Sequence, residues 1–166
     1  MIHRRRPGEA PPRPTTNPRT LALRMLGRRD YSTAELTTKL LDKGYAAEEV
    51  ERVISGLVSD RFVDDTRVAQ AHVRTASRIK GRGHLRIRRE LEARGISPAI
   101  VREATLQISP DEQLETLTRL VARKRGHAPM DTATRRRLFQ QLLRRGFPAD
   151  LIAKALSYRP DEDEQG

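Results

Sequence analysis

The feature that most constrains this chain is an internal repeat. Gly44, Gly95 and Gly146 are separated by 51 residues, twice over. Each follows a basic residue (Lys43, Arg94, Arg145) and precedes a bulky apolar one (Tyr45, Ile96, Phe147). Leu40, Leu91 and Leu142 stand four positions before each glycine, and Leu36, Ile87 and Leu138 stand eight before. Val50, Val101 and Ile152 stand six after. Residues at minus eight and minus four share one face of a helix. Glycine ends that helix by tolerating the left-handed conformation, and the next apolar residue pins the turn against the core. A chain patterned in this way folds as a short array of stacked modules, each burying a narrow stripe.

The rest of the pattern is helical as well. Leu21, Leu23, Met25 and Leu26 begin a helix that stops near Arg28-Arg29-Asp30. Ser32 with Glu35 three residues on makes a capping box, and Leu36, Leu40 and Leu41 form the apolar stripe that follows. A further helix runs from about Ala46 through Val50, Val53, Ile54 and Leu57. In the second copy the leading helix starts near Asp64-Asp65 and in the third near Asp111-Glu112, where acidic residues suit the helix dipole. Pro98 and Pro148 sit near helix starts, where a missing N–H costs least. No alternation of strand type appears. The expected fold is therefore all-α: three tandem three-helix repeats, at 19–59, 60–108 and 109–158, in an elongated, curved array. Residues 1–18, with five of the ten prolines and the run Arg4-Arg5-Arg6, read as a disordered basic arm, and 159–166 as an acidic tail.

Composition agrees with an array: hydrophobic residues are 36% of the chain, aromatics 4%, and Trp is absent, which is thin for a single deep core. There is no Cys, which excludes disulfides, thiolate metal sites and a Cys nucleophile. No stretch reaches the roughly 18 apolar residues that span a bilayer. The expectation is a cytoplasmic monomer with no membrane association.

Catalytic and metal-binding patterns are scarce. Asp64 and Asp65 are adjacent, so on a helix they diverge by about 100° and serve better as caps than as paired ligands. His3, His72, His84 and His127 lack metal-ligand spacing. Gly81-Arg82-Gly83 lacks the lysine and hydroxyl residue of a phosphate-binding loop. No enzyme, cofactor or metal is expected.

Charge is the stronger signal. Thirty-three Lys and Arg against 22 Asp and Glu give a net charge of +11, which draws a protein to polyanions. From Arg74 onward stand Arg78, Lys80, Arg82, Arg86, Arg88, Arg89 and Arg94, with only Glu90 and Glu92 opposing them. At about 100° per residue, Arg82, Arg86 and Arg89 form one stripe, about 150° from Ile87 and Leu91. That geometry predicts a stripe facing solvent, and such a stripe can also be no more than a hydrated face. The repeat allows a comparison between copies. Arg86 corresponds to Glu35 in copy one and Arg137 in copy three; Arg89 corresponds to Thr38 and Gln140. Copy three adds Arg135, Arg136 and Arg144, with Arg123, Lys124 and Arg125 nearby. The expected polyanion-facing residues are thus Arg74, Arg78, Lys80, Arg82, Arg86, Arg89, Arg135, Arg136, Arg137 and Arg144, on copies two and three. Copy one, with Glu35, reads as scaffold or protein contact. Base-specific readout is not indicated, because the helices after the glycines carry few Asn or Gln, and only Tyr31 and Tyr158 are aromatic outside the expected core.

Two segments carry a family resemblance. Tyr31-Ser32-x-x-Glu35-Leu36-x-x-Lys39-Leu40-x-x-Lys43-Gly44 is one. The other is Asp60-x-Phe62-Val63-Asp64-Asp65-x-x-x-Ala69, followed by Gly81 and Arg86-Ile87-x-x-Glu90-Leu91-x-x-Arg94-Gly95-Ile96. They resemble the bacterial regulatory proteins of the RecX family, and the likeness runs over about residues 19–157. The resemblance implies an all-helical array of three repeats without catalytic residues or cofactor. It also implies binding to the recombinase RecA in the groove of its filament on single-stranded DNA. Modulation, usually inhibition, of strand exchange, ATP hydrolysis and coprotease activity in DNA repair and the SOS response follows. Direct DNA contact by the basic face is a further expectation. The alternative is a free-standing nucleic-acid-binding protein that grips phosphates without RecA.

Overall fold

The computed structural model describes residues 15–125 and 130–157. Among them are nine α-helices and no strand: α1 (Pro18–Leu26), α2 (Thr33–Asp42), α3 (Ala47–Ser59), α4 (Asp65–Arg74), α5 (His84–Ala93), α6 (Pro98–Leu106), α7 (Pro110–Arg125), α8 (Thr132–Arg144) and α9 (Ala149–Ser157). A π-helical turn, Thr75–Ile79, follows α4. The basic arm, apart from its last four residues, and the acidic tail lie outside the described residues. So do His3, His127 and Tyr158. Those last four residues differ from the expectation of a disordered arm. Asn17 caps α1 by accepting the Arg19 N–H at 2.9 Å, and Pro18 is the first helical residue and buried.

The chain falls into two compact units that do not coincide with the three repeats. The first comprises the residues up to Val68 together with Arg94–Ile96; the second comprises Ala69–Ala93 and the residues from Ser97 onward. In the first unit Leu36 and Leu40 of α2 are fully buried with Ala22, Val50, Ile54, Leu57, Tyr45 and Val63. Each such aliphatic side chain contributes about 1.5–3 kcal/mol. Helix α2 begins on a complete capping box: Ser32 Oγ accepts the Glu35 N–H at 3.1 Å, and Glu35 Oε2 accepts the Ser32 N–H at 3.0 Å. Asp65 closes a further free donor of that helix start, accepting the Thr33 N–H at 2.8 Å, while Asp64 caps its own helix through the Arg67 N–H. The helix ends with Gly44 at φ +91° and the Tyr45 N–H on the Leu40 carbonyl, which is a Schellman closure. Tyr31, expected outside the core, packs against it, with the Arg29 guanidinium 3.7 Å from its ring centroid.

In the second unit Leu138 and Leu142 of α8 bury against Leu117, Val121, Phe147, Ile152 and Ala155. Ile87, Leu91, Val101 and Ala104 are buried on α5 and α6. Helix α7 starts on a second capping box, Ser109 with Glu112. Gly146, at φ +86°, closes α8 as Gly44 closes α2, with the Phe147 N–H on the Leu142 carbonyl. No helix among the described residues is long and apolar enough to cross a membrane.

Candidate polyanion-binding surface

The expected basic residues divide into two groups. Arg74, Arg78, Lys80, Arg89, Arg135, Arg136, Arg137 and Arg144 have exposed side chains. Arg82 and Arg86 do not share one open stripe with Arg89. Both are half-buried and committed to Glu90: Arg82 Nη1 lies 2.6 Å from Glu90 Oε2 and Arg86 Nε lies 2.8 Å from Glu90 Oε1. His72 Nε2 meets the same carboxylate at 2.9 Å. Burial alone would raise the Glu90 carboxyl, but the hydrogen bonds from Arg86, His72 and Arg82 and the charge of Arg82 outweigh it and hold it below the usual glutamate range. A carboxylate with three partners leaves those two guanidinium groups little capacity for a phosphate.

The reason lies in a seam that recurs at equivalent repeat positions. Inside the first unit, Ser32 Oγ donates to the Arg94 carbonyl, and Arg94 Nη2 and Nε reach Glu35 Oε2 at 2.9 and 3.2 Å. Gly95 lies so close to Ala34 that a Cβ on it would meet the Ala34 Cβ at 2.4 Å. Inside the second unit the Gly83 N–H donates to the Arg145 carbonyl at 2.9 Å, and Arg86 Nη1 reaches the Arg144 carbonyl at 3.4 Å. A Cβ on Gly146 would meet the Arg86 Cβ at 2.3 Å. Ser32 and Gly83 both stand 12 positions before a repeat glycine, and Arg94 and Arg145 both stand one before. Glu35 and Arg86 therefore occupy a seam column, where each meets the turn of the following repeat. Their difference is a difference in how the seam is closed. The third member of the column, Arg137, is exposed, as is Thr134 in the column of Ser32 and Gly83.

Of the exposed residues, Arg78 and Lys80 come together with side chains remote in sequence. The end of the π-helical turn and α7 border a cleft of about 320 Å³, lined by Arg78, Lys80, Arg119, Arg123 and Arg145 among others, with no carboxylate in its lining. Arg119 and Arg123 are one helical turn apart on α7, and that spacing was the available signal for them. Arg135, Arg136 and Arg137 lie apart from the cleft lining, in the N-terminal half of α8, where the helix dipole gives cations no support.

Fold and surface define a tandem three-helix-repeat regulatory module. The first three-helix domain of RecX matches residues 19–57, the second 64–104 and the third 111–156. The chain belongs to the RecX family of regulatory proteins. It is 34% identical over 144 residues to the regulatory protein RecX of Chromohalobacter salexigens, covering 85% of this chain and 91% of that one. It is 37% identical over 142 residues to the corresponding protein of Stenotrophomonas maltophilia, covering 85% and 86%. In fold it is similar to the crystal structure of RecX from Lactobacillus salivarius, with a TM-score of 0.74, 22% identity, and coverage of 84% and 92%.

Proposed function

We propose that this chain regulates a RecA recombinase by binding its filament on single-stranded DNA and restraining strand exchange, ATP hydrolysis and coprotease activity during DNA repair. The observation that carries this reading is the match of all three repeats, in order, to the three domains of one regulatory family. The protein acts as a cytoplasmic monomer, by binding and without a catalytic step. Its exposed cations, Arg74, Arg78, Lys80, Arg89, Arg135, Arg136, Arg137 and Arg144, are the contact residues, toward phosphates or toward acidic side chains of the filament. Arg82 and Arg86 serve the reading only indirectly, by holding the seam.

Co-sedimentation tests it. The protein should pellet with RecA filaments assembled on single-stranded DNA at concentrations where naked strand alone retains little of it. Equal or greater retention by naked strand would favour the alternative of a free-standing nucleic-acid binder. The carboxylate-free cleft is the specific observation on that side. Charge reversal at Arg135, Arg136 and Arg137 together should weaken filament binding and reduce its salt sensitivity.

A further inference from the structure

We infer that the cleft between the π-helical turn and α7 seats the phosphates of a single nucleic-acid strand, a placement that rests on, and deepens, the reading above. Five cationic side chains face one recess of about 320 Å³, and no acidic residue lines it. They come from three separate elements: Arg78 and Lys80 from the π-helical turn and its cap, Arg119 and Arg123 from α7, and Arg145 from the cap of α8. Local sequence chemistry does not account for such a gathering, because like charges from different elements repel unless an anion lies among them.

The partners that these cations already have are few. Among the described residues Arg78, Lys80 and Arg123 enter no ion pair, and all three are exposed. Arg119 meets Glu115 at 3.7 Å with both side chains about two-thirds exposed, a contact that contributes little. Arg145 points a guanidinium N–H at the Gly81 carbonyl, at 3.5 Å. This weak bond aims the group at the recess without using up its donors.

The backbone irregularity supports the same assignment. The Lys80 N–H bonds the Thr75 carbonyl at 3.1 Å and the Arg82 N–H bonds the Ala76 carbonyl at 2.9 Å, so one extra residue is accommodated at the end of α4. Such π-helical insertions concentrate at functional sites. An extra residue turns the following side chains by about 100° relative to a regular helix, and it is these side chains, Arg78 and Lys80, that line the cleft.

A single strand suits the lining better than a duplex. Ile79, also in the lining, is 80% exposed beside the cations, and Leu120 forms apolar wall. An unstacked base has a free apolar face to lay on such a surface, whereas bases in a duplex are already stacked. The lack of an aromatic platform or an amide in the lining predicts binding without base preference.

The test uses the full chain, a short fluorescein-labelled oligothymidylate, and anisotropy titrations over a range of salt. The triple variant Arg78→Ala, Lys80→Ala, Arg123→Ala is compared with Arg24→Ala, Arg28→Ala, Lys43→Ala, which removes the same charge from exposed positions of the first unit. Loss of three phosphate contacts should weaken binding at least about tenfold at moderate salt and make the log–log salt slope shallower by about 2, at roughly 0.7 per contact. The control should stay within about twofold, and thermal unfolding of both variants should match that of the parent. Equal losses in the two triples, or no loss in the cleft triple, would overturn the assignment. It would also be overturned if duplex of the same length, poly-glutamate or millimolar inorganic phosphate displaced the oligonucleotide as well as unlabelled strand does. Co-sedimentation of the parent protein with RecA filaments runs in parallel. If the parent ignores filaments while strand binding responds to the cleft triple, the regulatory reading fails and the cleft stands. If the parent binds filaments but the cleft triple holds the strand normally, the cleft alone fails.

Discussion

Glu35 and Arg86 occupy one column of the repeat, carry opposite charge, and each touches the turn of the repeat that follows. Glu35 does so as acceptor for Arg94, and Arg86 as donor to the Arg144 carbonyl, with its own charge balanced by Glu90. Burial by itself would raise the Glu35 carboxyl, but hydrogen bonds from Arg94 and from the Ser32 N–H, with the charges of Arg94 and Arg29, hold it below the usual glutamate range. Glu90 is lowered for the parallel reason. A carboxyl whose folded-state value is lowered stabilises the fold above the unfolded value and ceases to do so as pH falls through the folded one. Thermal unfolding of the parent should therefore weaken as the solution is acidified through and below the usual glutamate range. The double variant Glu35→Gln, Glu90→Gln should be less stable at neutral pH and show a flatter profile. Glycines give a second prediction. Gly146→Ala combines a left-handed backbone with a Cβ driven into Arg86, so it should cost at least about 2 kcal/mol in denaturant melts. Gly27→Ala, with φ −66° and nothing nearer than 3.6 Å, should be neutral or stabilise by up to about 1 kcal/mol.

At the scale of elements, much was readable and the gaps have physical causes. The glycine and leucine columns mark the second helix of each repeat because helical periodicity and a left-handed stop are local properties. The seams are not local: Arg94 and Glu35 are 59 residues apart, and Arg145 and Gly81 are 64 apart. Comparing copies could show that the column varied, but not what each residue met. The π-helical turn carries no glycine or proline to announce it, and Arg119 and Arg123 are masked in sequence by Glu112 and Glu115. Two element-scale experiments follow. Ser32→Ala removes a capping acceptor and a donor to the Arg94 carbonyl, and should cost more than the typical ~1 kcal/mol of a cap. Ser97→Ala loses only an exposed 3.5 Å cap and should cost less. Deleting Ser77 should let the turn relax to regular helix and carry Arg78 and Lys80 off the cleft. Strand binding would then fall while helix content by circular dichroism is retained.

For the whole molecule, the informative mismatch is between three repeats in sequence and two compact units in space. Arg94–Ile96 belong to the second repeat but to the first unit. Native-state hydrogen exchange should thus show the amide of Ile96 opening with α2 and α3 rather than with α5. Arg94→Ala should lower protection across α2 while leaving α8 and α9 unchanged. Exchange of that amide together with α5 would contradict the division.

The two described seams also say where such a chain can be cut or lengthened. Each repeat start is closed by a turn that the next repeat supplies: Arg94 and Gly95 for α2, Arg145 and Gly146 for α5. A repeat excised at the borders that its own periodicity suggests takes its neighbour's lid with it, leaving an orphaned serine hydroxyl and an unpaired glutamate at the start of α2. Splicing just after a repeat glycine and its apolar follower, at residue 97 or 148, carries each lid with the helix start it covers. Joints placed there are the ones along which repeats can be exchanged between chains of this architecture.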